Sequence, residues 1–286
     1  MNEWPRDTYV LIPSYKSVNP LKPFLRELVD VVPKEFICVV DDASRDGTYE
    51  FCVESGIKCL RHEVNRGKGA ALRTGFAYLT GEINTNINTD TAKIGTDGIN
   101  INNISPKSIN TNYTNINTNT ATVSANAKTA NWILTMDADG QHSPADIPRF
   151  ITEARKCPAM GLCVGARDMR LGAMPPARIL SNRLTSLILS LLSGCRVADS
   201  QCGFRMYSRR LVTSISMEYD RFEMESEVIL KAAAKRFPIR FVRVQTLYLK
   251  DGPSHISHIA DTLRWVLAVL RVRRGCKNTK TEATGG

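Results

Sequence analysis

The segment Trp132-Ile133-Leu134-Thr135-Met136-Asp137-Ala138-Asp139-Gly140-Gln141-His142 decides the fold. Its apolar run predicts a buried strand, and the glycine after the two acids predicts the turn that ends it. Carboxylates two residues apart on an extended chain point to the same side and repel unless a cation lies between them. Mg²⁺ and Mn²⁺ suit such oxygens and leave other coordination positions to water and phosphate. The pattern is typical of an enzyme with a diphosphate leaving group; the alternative is a solvated Asp-rich turn.

A second acid cluster strengthens the first interpretation. Residues 8–13 form an apolar run closed by proline, and residues 36–40 form another that continues into Asp41, Asp42 and a Ser/Asp/Gly turn. Residues 19–32 have helical spacing between these two runs. Alternating strands and helices predict a parallel sheet, in which ligands bind at the carboxyl ends of the strands. Both acid clusters are therefore expected to meet in one crevice.

Composition limits the classes of partner. The chain has 286 residues, a formal net charge of +10 and 8 cysteines without a Cys-x-x-Cys pair. Scattered cysteines predict reduced thiols in a cytoplasmic compartment. No apolar run approaches the length of a membrane span. The positive charge implies anionic partners, and since no nucleic-acid-binding motif is present, phosphorylated substrates and anionic membranes are favoured over nucleic acid.

Residues 81–130 do not fit the alternating pattern. They are rich in Asn, Thr and Ile and offer little to build a core, which predicts disorder; a short β-solenoid is the rival interpretation. The segment joins a predicted helix, 67–79, to the start of the strand at 132, on the side of the sheet away from the acids. We therefore predict a single domain over 1–274, interrupted by 81–130, with a disordered tail over 275–286.

Two apolar helices are predicted late in the chain, over residues 181–194 and 256–274. The second carries Trp265 and ends in Arg271-Val272-Arg273-Arg274. An amphipathic helix with tryptophan and terminal arginines is typical of a membrane interface. A core-packing helix whose arginines complement its dipole explains the same pattern, so both interpretations stay open.

The ordered motifs resemble the family 2 inverting glycosyltransferases of GT-A fold. The resemblance is strongest to the branch of dolichyl-phosphate mannose synthase and the bacterial polyprenyl-phosphate sugar transferases. Each motif is weak alone and the ordered set is specific; the departure is Lys16-Ser17, where the family often has Asn and an acid. The motifs that carry the resemblance are 12–15, 39–48, 65–71, 136–142, 164–167, 199–205 and 225–227.

The resemblance implies an α/β fold with a mostly parallel, Rossmann-like sheet flanked by helices. It implies metal-dependent inverting transfer of a sugar from a UDP- or GDP-linked donor to a polyprenyl (dolichyl or undecaprenyl) phosphate, with Mg²⁺ or Mn²⁺ as cofactor. It also implies peripheral association with the cytoplasmic face of a membrane and admits a membrane-embedded partner subunit. Two alternatives are a glycosyltransferase acting on a hydroxyl of a glycan, lipid or protein, and a non-catalytic nucleotide-sugar-binding protein.

Site residues follow by position in these motifs. The metal is assigned to Asp137, Asp139 and Gln141. Carboxylates accept bonds from a base or ribose, and glycines beside Lys68 allow close approach to phosphates. The predicted nucleotide-sugar-binding set is Pro13, Tyr15, Asp41, Asp42, Lys68, Asp137 and Ala138. The predicted acceptor-binding set is Arg167, Gln201 and Arg205, and the predicted catalytic set is Asp139, Arg205 and Asp199.

The choice of acceptor depends on what the nucleophile needs. A hydroxyl needs a general base, whereas a phosphate monoester is already ionised near neutral pH and needs a cation to hold it. Arg205, in a predicted Gly-Phe-Arg turn, supplies a guanidinium that suits phosphate. In relatives that act on hydroxyls, the base is an acid in the region of Asp199, Glu225 and Glu227. The two glutamates equally suit the first turn of a helix over 224–235.

Overall fold

A computed structural model describes residues 3–82, 130–168, 176–245 and 258–282. It contains one seven-stranded sheet, of strand order β3-β2-β1-β4-β6-β5-β7, with helices packed around it. The strands are β1 (Thr8–Ser14), β2 (Ile37–Asp41), β3 (Lys58–Arg61), β4 (Trp132–Thr135), β5 (Leu162–Arg167), β6 (Arg205–Ser208) and β7 (Ile239–Val244). The helices are α1 (Val18–Val29), α2 (Thr48–Glu54), α3 (Lys68–Thr80), α4 (Ile147–Lys156), α5 (Pro176–Ser193), α6 (Arg209–Ser214), α7 (Glu223–Ala234) and α8 (His258–Glu282).

The first half of the sheet is parallel, as predicted. β1 lies between β2 and β4, and the register pairs Ser14 with Asp41. These strands are apolar and almost wholly buried because helices cover both faces of a parallel sheet. Their carboxyl ends lie at one edge, so the turns after β1, β2 and β4 surround a common crevice. The predicted α/β class is confirmed.

The second half of the sheet departs from strict alternation. β6 runs antiparallel between β4 and β5 and pairs Thr135 with Arg205. The prediction that Arg205 lies in a turn was wrong, since it begins this central strand. Residues 205–208 are too short to show a strand period, so the local pattern did not reveal the pairing.

The segment 83–129 lies outside the described residues, and the residues on either side of it are linked by Arg209. Arg209 donates from its backbone N–H to the carbonyl of Asn131 at 2.8 Å and from its guanidinium to the carbonyl of Thr80 at 2.7 Å. The end of α3 and the start of β4 are therefore within the reach of one arginine. The predicted disorder of 81–130 is not addressed by this contact and stays a prediction.

We expect residues 83–129 to be replaceable by about eight Gly/Ser residues without loss of the fold. The ends already lie close together, and closing a shorter loop costs less conformational entropy. The variant should melt at the temperature of the parent chain or above it, as measured by circular dichroism. A variant that is folded but no longer binds nucleotide would show that this segment contributes to the site.

The two late apolar helices each pack one face and expose the other. In α8, Val269 and Val272 are buried and the Trp265 indole donates to Ser226 Oγ of α7 at 2.8 Å, whereas Val266, Leu267 and Leu270 are exposed. The buried face confirms the core-packing interpretation for part of this helix, and the membrane-interface interpretation of the exposed face stays a prediction. α8 also continues to Glu282, past the predicted end of this helix at 274. Residues 275–282 include no proline to stop the helix, although Gly275, Asn278 and the two threonines are weak helix formers.

None of the helices among the described residues is both long enough and apolar enough to cross a membrane.

Candidate active site

The paired acids follow β4 and face the crevice. β4 is fixed at its end by Thr135, whose hydroxyl donates to the carbonyl of Gly203 at 2.8 Å. Gly203 in turn supports Asp137 from behind, since a Cβ added there would lie 2.7 Å from Asp137 Oδ1. The Asp137 side chain is 26% exposed. A residue without a side chain is therefore required at 203 for this acid to occupy its position.

Lys68 forms an ion pair with the first of these acids. Its ammonium lies 2.7 Å from Asp137 Oδ1 and 2.8 Å from Glu225 Oε1, and its side chain is only 17% exposed. Burial alone would lower the pKa of Lys68, but the two carboxylates outweigh it and raise that pKa. Burial alone would likewise raise the pKa of Asp137, but the ammonium and His142 outweigh it and lower that pKa. Both groups are therefore held charged.

Asp139 lies in a different electrostatic setting. Burial and the neighbouring Asp137 charge raise its pKa, while a hydrogen bond from the backbone N–H of Gln141 at 3.0 Å opposes the rise. His142 is buried against Phe204, and its Nε2 lies 3.5 Å from Asp137 Oδ2. The repulsion felt by Asp139 is what a divalent cation between the two acids would relieve.

The donor set fits the predicted Mg²⁺ or Mn²⁺ in chemistry. The described residues gather no group of three or more His, Cys, Asp or Glu side chains suited to a metal. Mg²⁺ is commonly bound through one or two carboxylates, with waters and substrate phosphates as the other ligands. Asp137 and Asp139 supply those two carboxylates, and the backbone places Gln141 beside them.

Asp42 is an internal clamp and not an open ligand site. Its two carboxylate oxygens accept from the backbone N–H groups of Arg66 at 2.9 Å and Gly67 at 2.7 Å, and Oδ1 also lies 2.6 Å from His62 Nδ1. The His62 ring continues to the hydroxyl of Thr74. The side chain is 3% exposed, so a nucleotide could contact Asp42 only by displacing these bonds, and the predicted contact stays a prediction. The oxygens of Asp42 are occupied in fixing the loop that leads to Lys68.

Asp41 keeps an oxygen without a hydrogen bond. Its Oδ1 accepts from the backbone of Ser44, while Oδ2 makes no hydrogen bond and lies 3.5 Å from the Arg61 guanidinium. The adjacent cleft is lined by Ala43, Arg45, Arg61, His62 and Glu63. Burial raises the pKa of Asp41. Asp41 is fully buried, so a base or ribose could reach this oxygen only if the surrounding residues moved, and the predicted contact stays a prediction.

The remaining nucleotide residues surround the same region. Pro13 is buried within β1, opposite Val40, whereas Tyr15 is 43% exposed just after the strand. Lys16 follows with a positive φ of 51° and donates its backbone N–H to Ser44 Oγ. Ala138 is buried between the two acids. The predicted set is therefore gathered around the ends of β1, β2 and β4.

Asp199 forms a bidentate ion pair with Arg167. The guanidinium contacts both carboxylate oxygens, at 2.8 and 3.0 Å, and Asn182 and the backbone of Gln201 add further bonds. Burial alone would raise the pKa of Asp199, but the bonds from Arg167 outweigh it and lower that pKa. Asp199 is fully buried in this ion pair, and its catalytic role stays a prediction. It joins β5 to the 199–203 segment that supports Asp137.

The predicted acceptor cations are also engaged. Arg205 is fully buried and donates to the carbonyls of Cys202, Glu225 and Ser200 at 2.7, 2.7 and 2.8 Å. A phosphate could bind Arg205 only by displacing these backbone bonds, and its roles in catalysis and acceptor binding stay predictions. Gln201 is exposed and bonds to Ser181 and Thr185 of α5.

We expect Arg205→Met to lower the free energy of unfolding by about 3 kcal/mol or more, because three buried carbonyls lose a charged donor. Urea denaturation measures the loss. Arg155→Met is the control, since Arg155 is exposed near the end of α4 and such a surface change shifts the free energy of unfolding by about 0.5 kcal/mol or less. A folded Arg205→Met protein with unchanged stability would contradict the buried role.

Glu225 is the site residue whose position the sequence left undecided. It begins α7 as expected, yet its side chain reaches Lys68, and Arg205 binds its backbone carbonyl. Glu227 instead accepts from the backbone of Glu218 and from Lys231, away from the acids of β4. Sequence reasoning missed His62, because nothing in the pattern marks which acid a single histidine will meet.

The chain is similar in sequence to known glycosyltransferases. The sequence profile of glycosyl transferase family 2 matches residues 9–92. A UDP-N-acetylglucosamine–dolichyl-phosphate N-acetylglucosaminyltransferase of Methanococcus voltae is 27% identical, over 93% of this chain and 96% of that protein. An undecaprenyl-phosphate mannosyltransferase of Micrococcus luteus is 24% identical, over 93% of this chain and 98% of that protein.

A solved structure supports the fold. Glucosyl-3-phosphoglycerate synthase from Mycobacterium tuberculosis, crystallised with Mn²⁺, UDP and glucosyl-3-phosphoglycerate, superimposes with a TM-score of 0.61 at 17% identity, over 94% of this chain and 80% of that one. The seven-stranded sheet and this superposition assign the GT-A fold. The chain is similar to the family 2 glycosyltransferases over residues 9–92 and to named glycosyltransferases over 93% of its length, which supports an enzyme of this kind.

Proposed function

We propose that the chain transfers a sugar from a UDP- or GDP-linked donor to the phosphate of a polyprenyl lipid, with inversion at C1. The observation that carries the proposal is the paired acids and the buried ammonium at the end of β4. The named relatives from Methanococcus voltae and Micrococcus luteus, whose names specify dolichyl and undecaprenyl phosphate, support the acceptor class.

Each half of the donor has residues to meet it. Asp137 and Asp139 would hold Mg²⁺ or Mn²⁺, which supplies Lewis-acid stabilisation of the leaving diphosphate when bound. Lys68, at the first residue of α3, adds a positive charge where the helix dipole also favours anions. Tyr15, which is exposed, would contact the nucleoside, and the unbonded Oδ2 of the buried Asp41 would do so only after the residues around it moved. In the reaction, an acceptor oxygen forms a bond to C1 as the bond from C1 to the diphosphate oxygen breaks.

The state of the other acids favours a phosphate acceptor over a hydroxyl. A hydroxyl acceptor must give its proton to a base. The candidate bases are committed elsewhere: Asp199 to Arg167, and Glu225 to Lys68. An ionised lipid phosphate needs no base, since its second pKa is about 6.

We expect transfer to polyprenyl phosphate and none to the matching polyprenol. Purified protein is incubated with Mn²⁺, radiolabelled UDP-N-acetylglucosamine, UDP-glucose or GDP-mannose, and either lipid, and the organic extract is counted. Label on polyprenol alone would favour the hydroxyl alternative. The absence of turnover with every donor, despite binding of the nucleotide, would favour the non-catalytic alternative.

We expect Asp139→Asn to lower turnover about a hundredfold or more while the protein stays folded, because it removes a ligand of the cation that stabilises the leaving group. Excess chelator should abolish turnover of the parent protein. Asp30→Asn is the control, since it removes one exposed negative charge at the end of α1. Undiminished transfer by Asp139→Asn, or in chelator, would contradict the metal assignment.

A lipid acceptor requires the enzyme to reach a membrane surface, and α5 supplies a suitable face. Leu180, Leu184, Leu187 and Leu191 are 55–74% exposed and recur at helical spacing along one stripe. Exposed arginines lie near this stripe, at 183 within α5 and at 196 just after it, and further exposed arginines are at 271, 273 and 274 on α8. Apolar residues with flanking arginines fit an anionic bilayer surface, and the net charge of +10 has the complementary sign.

We expect the double variant Leu184→Ser/Leu191→Ser to bind anionic phosphatidylglycerol vesicles about tenfold more weakly, because apolar contact area is lost. Vesicle co-sedimentation measures the change. Leu184→Met/Leu191→Met keeps the apolar area and should bind like the parent protein. Equal binding by the serine and methionine variants would exclude α5 as the contact face.

A further inference from the structure

The ammonium of Lys68 occupies the position next to Asp137 that a metal ion would need. Its Nζ lies 2.7 Å from Asp137 Oδ1, the other oxygen faces His142 Nε2 at 3.5 Å, and the Phe222 ring covers the ammonium at 5.8 Å. A second cation at Oδ1 would lie within a few ångströms of this ammonium, where like charges repel strongly in a partly buried site.

Asp137 cannot withdraw toward Gly203. Its carboxylate rests against the backbone of Gly203, where even a methyl group would collide. Gly203 is itself tied to β4 through Thr135. The long lysine side chain is therefore the partner with more freedom to move when a second cation approaches.

The backbone of Lys68 is equally fixed, which leaves only its side chain free to move. Gly67 before it is bound by Asp42, and a Cβ at Gly69 after it would lie 2.5 Å from the carbonyl oxygen of Tyr219. A lysine side chain has four rotatable bonds and a compact charge, so it can exchange one anion for another without backbone movement. Glu225 Oε1, at 2.8 Å, remains as a second anchor while the ammonium leaves Asp137.

We propose that Lys68 is a cation placeholder, which neutralises Asp137 until a nucleoside diphosphate draws its ammonium away and frees that carboxylate for Mg²⁺ or Mn²⁺. This inference rests on the proposed nucleotide-sugar site. Glu225 is then a positioning residue that keeps the ammonium beside the site during the exchange. The consequence is positive coupling: diphosphate tightens metal binding, and by reciprocity metal tightens diphosphate binding by the same factor.

The test measures Mn²⁺ binding without turnover. Free Mn²⁺ is titrated by electron paramagnetic resonance, first with MnCl₂ alone and then with saturating UDP or GDP. Lys68→Met should bind Mn²⁺ alone about tenfold more tightly than the parent protein does. The factor by which nucleotide increases the affinity for Mn²⁺ should fall about tenfold in this variant, which is within the usual range of coupling between sites. Lys68→Arg, which keeps the charge, should behave like the parent.

Two further comparisons exclude simpler explanations. Lys156→Met removes an exposed lysine on α4 and should change neither affinity, which controls for net charge. Lys68→Met also leaves Asp137 and Glu225 without their shared cation, so Mn²⁺ could bind merely by joining the two acids. The double variant Lys68→Met/Glu225→Gln should still bind Mn²⁺ alone more tightly than Glu225→Gln alone. This second comparison also serves if Lys68→Met by itself folds poorly.

The outcomes separate this inference from the function on which it rests. The placeholder would be overturned, with the nucleotide-sugar site left intact, by either of two results. The first is that Lys68→Met does not change the factor by which nucleotide tightens Mn²⁺ binding. The second is that Mn²⁺ alone binds no more tightly to Lys68→Met than to the parent protein, and no more tightly to the double variant than to Glu225→Gln. If neither UDP nor GDP tightened Mn²⁺ in the parent protein, the proposed donor site and the placeholder would both fall.

Discussion

The ion pair between Lys68 and Asp137 joins the two structural halves of the site. Lys68 begins α3, whose entry loop is held by Asp42 at the end of β2, and Asp137 follows β4 and rests on the 199–203 segment of the other half. Each partner is fixed by a different set of buried bonds. The side chains meet at 2.7 Å because both supports are rigid. Disturbing either support would move a charge within the partly buried crevice, where electrostatic energies are large.

Much of the polar chemistry near the crevice serves to hold it in place. Asp42, Asp199 and Arg205 are all buried, and each forms hydrogen bonds with backbone groups of the loops around the crevice. A buried charge is tolerated only when it is paired and hydrogen-bonded, and such networks favour a single arrangement. The residues left partly exposed, Asp137 among them, are those that a ligand can reach.

The sequence predicted the framework better than the partners. The apolar runs and the helical spacing predicted β1, β2, β4 and α1 because those patterns are local. The acids after β4 were predicted correctly for the same reason. By contrast, Asp42 and Asp137 look alike in sequence, each following a buried strand. Asp42 binds backbone N–H groups because the loop at Arg66 and Gly67, more than twenty residues further along the chain, packs against it. The local sequence around either acid does not show this contact. Arg205 was misplaced because a strand of four residues has no readable period, and its burial follows from its pairing with Thr135.

The central claim, that a nucleoside diphosphate and a divalent cation bind together at the end of β4, is tested most directly by a crystal structure of the protein with MnCl₂ and UDP or GDP, using anomalous scattering to locate manganese. The account predicts an anomalous peak between the diphosphate and the carboxylates of Asp137 and Asp139, with the Lys68 ammonium turned from Asp137 toward the phosphates. Manganese bound elsewhere, or a nucleotide that does not contact this end of the sheet, would contradict it.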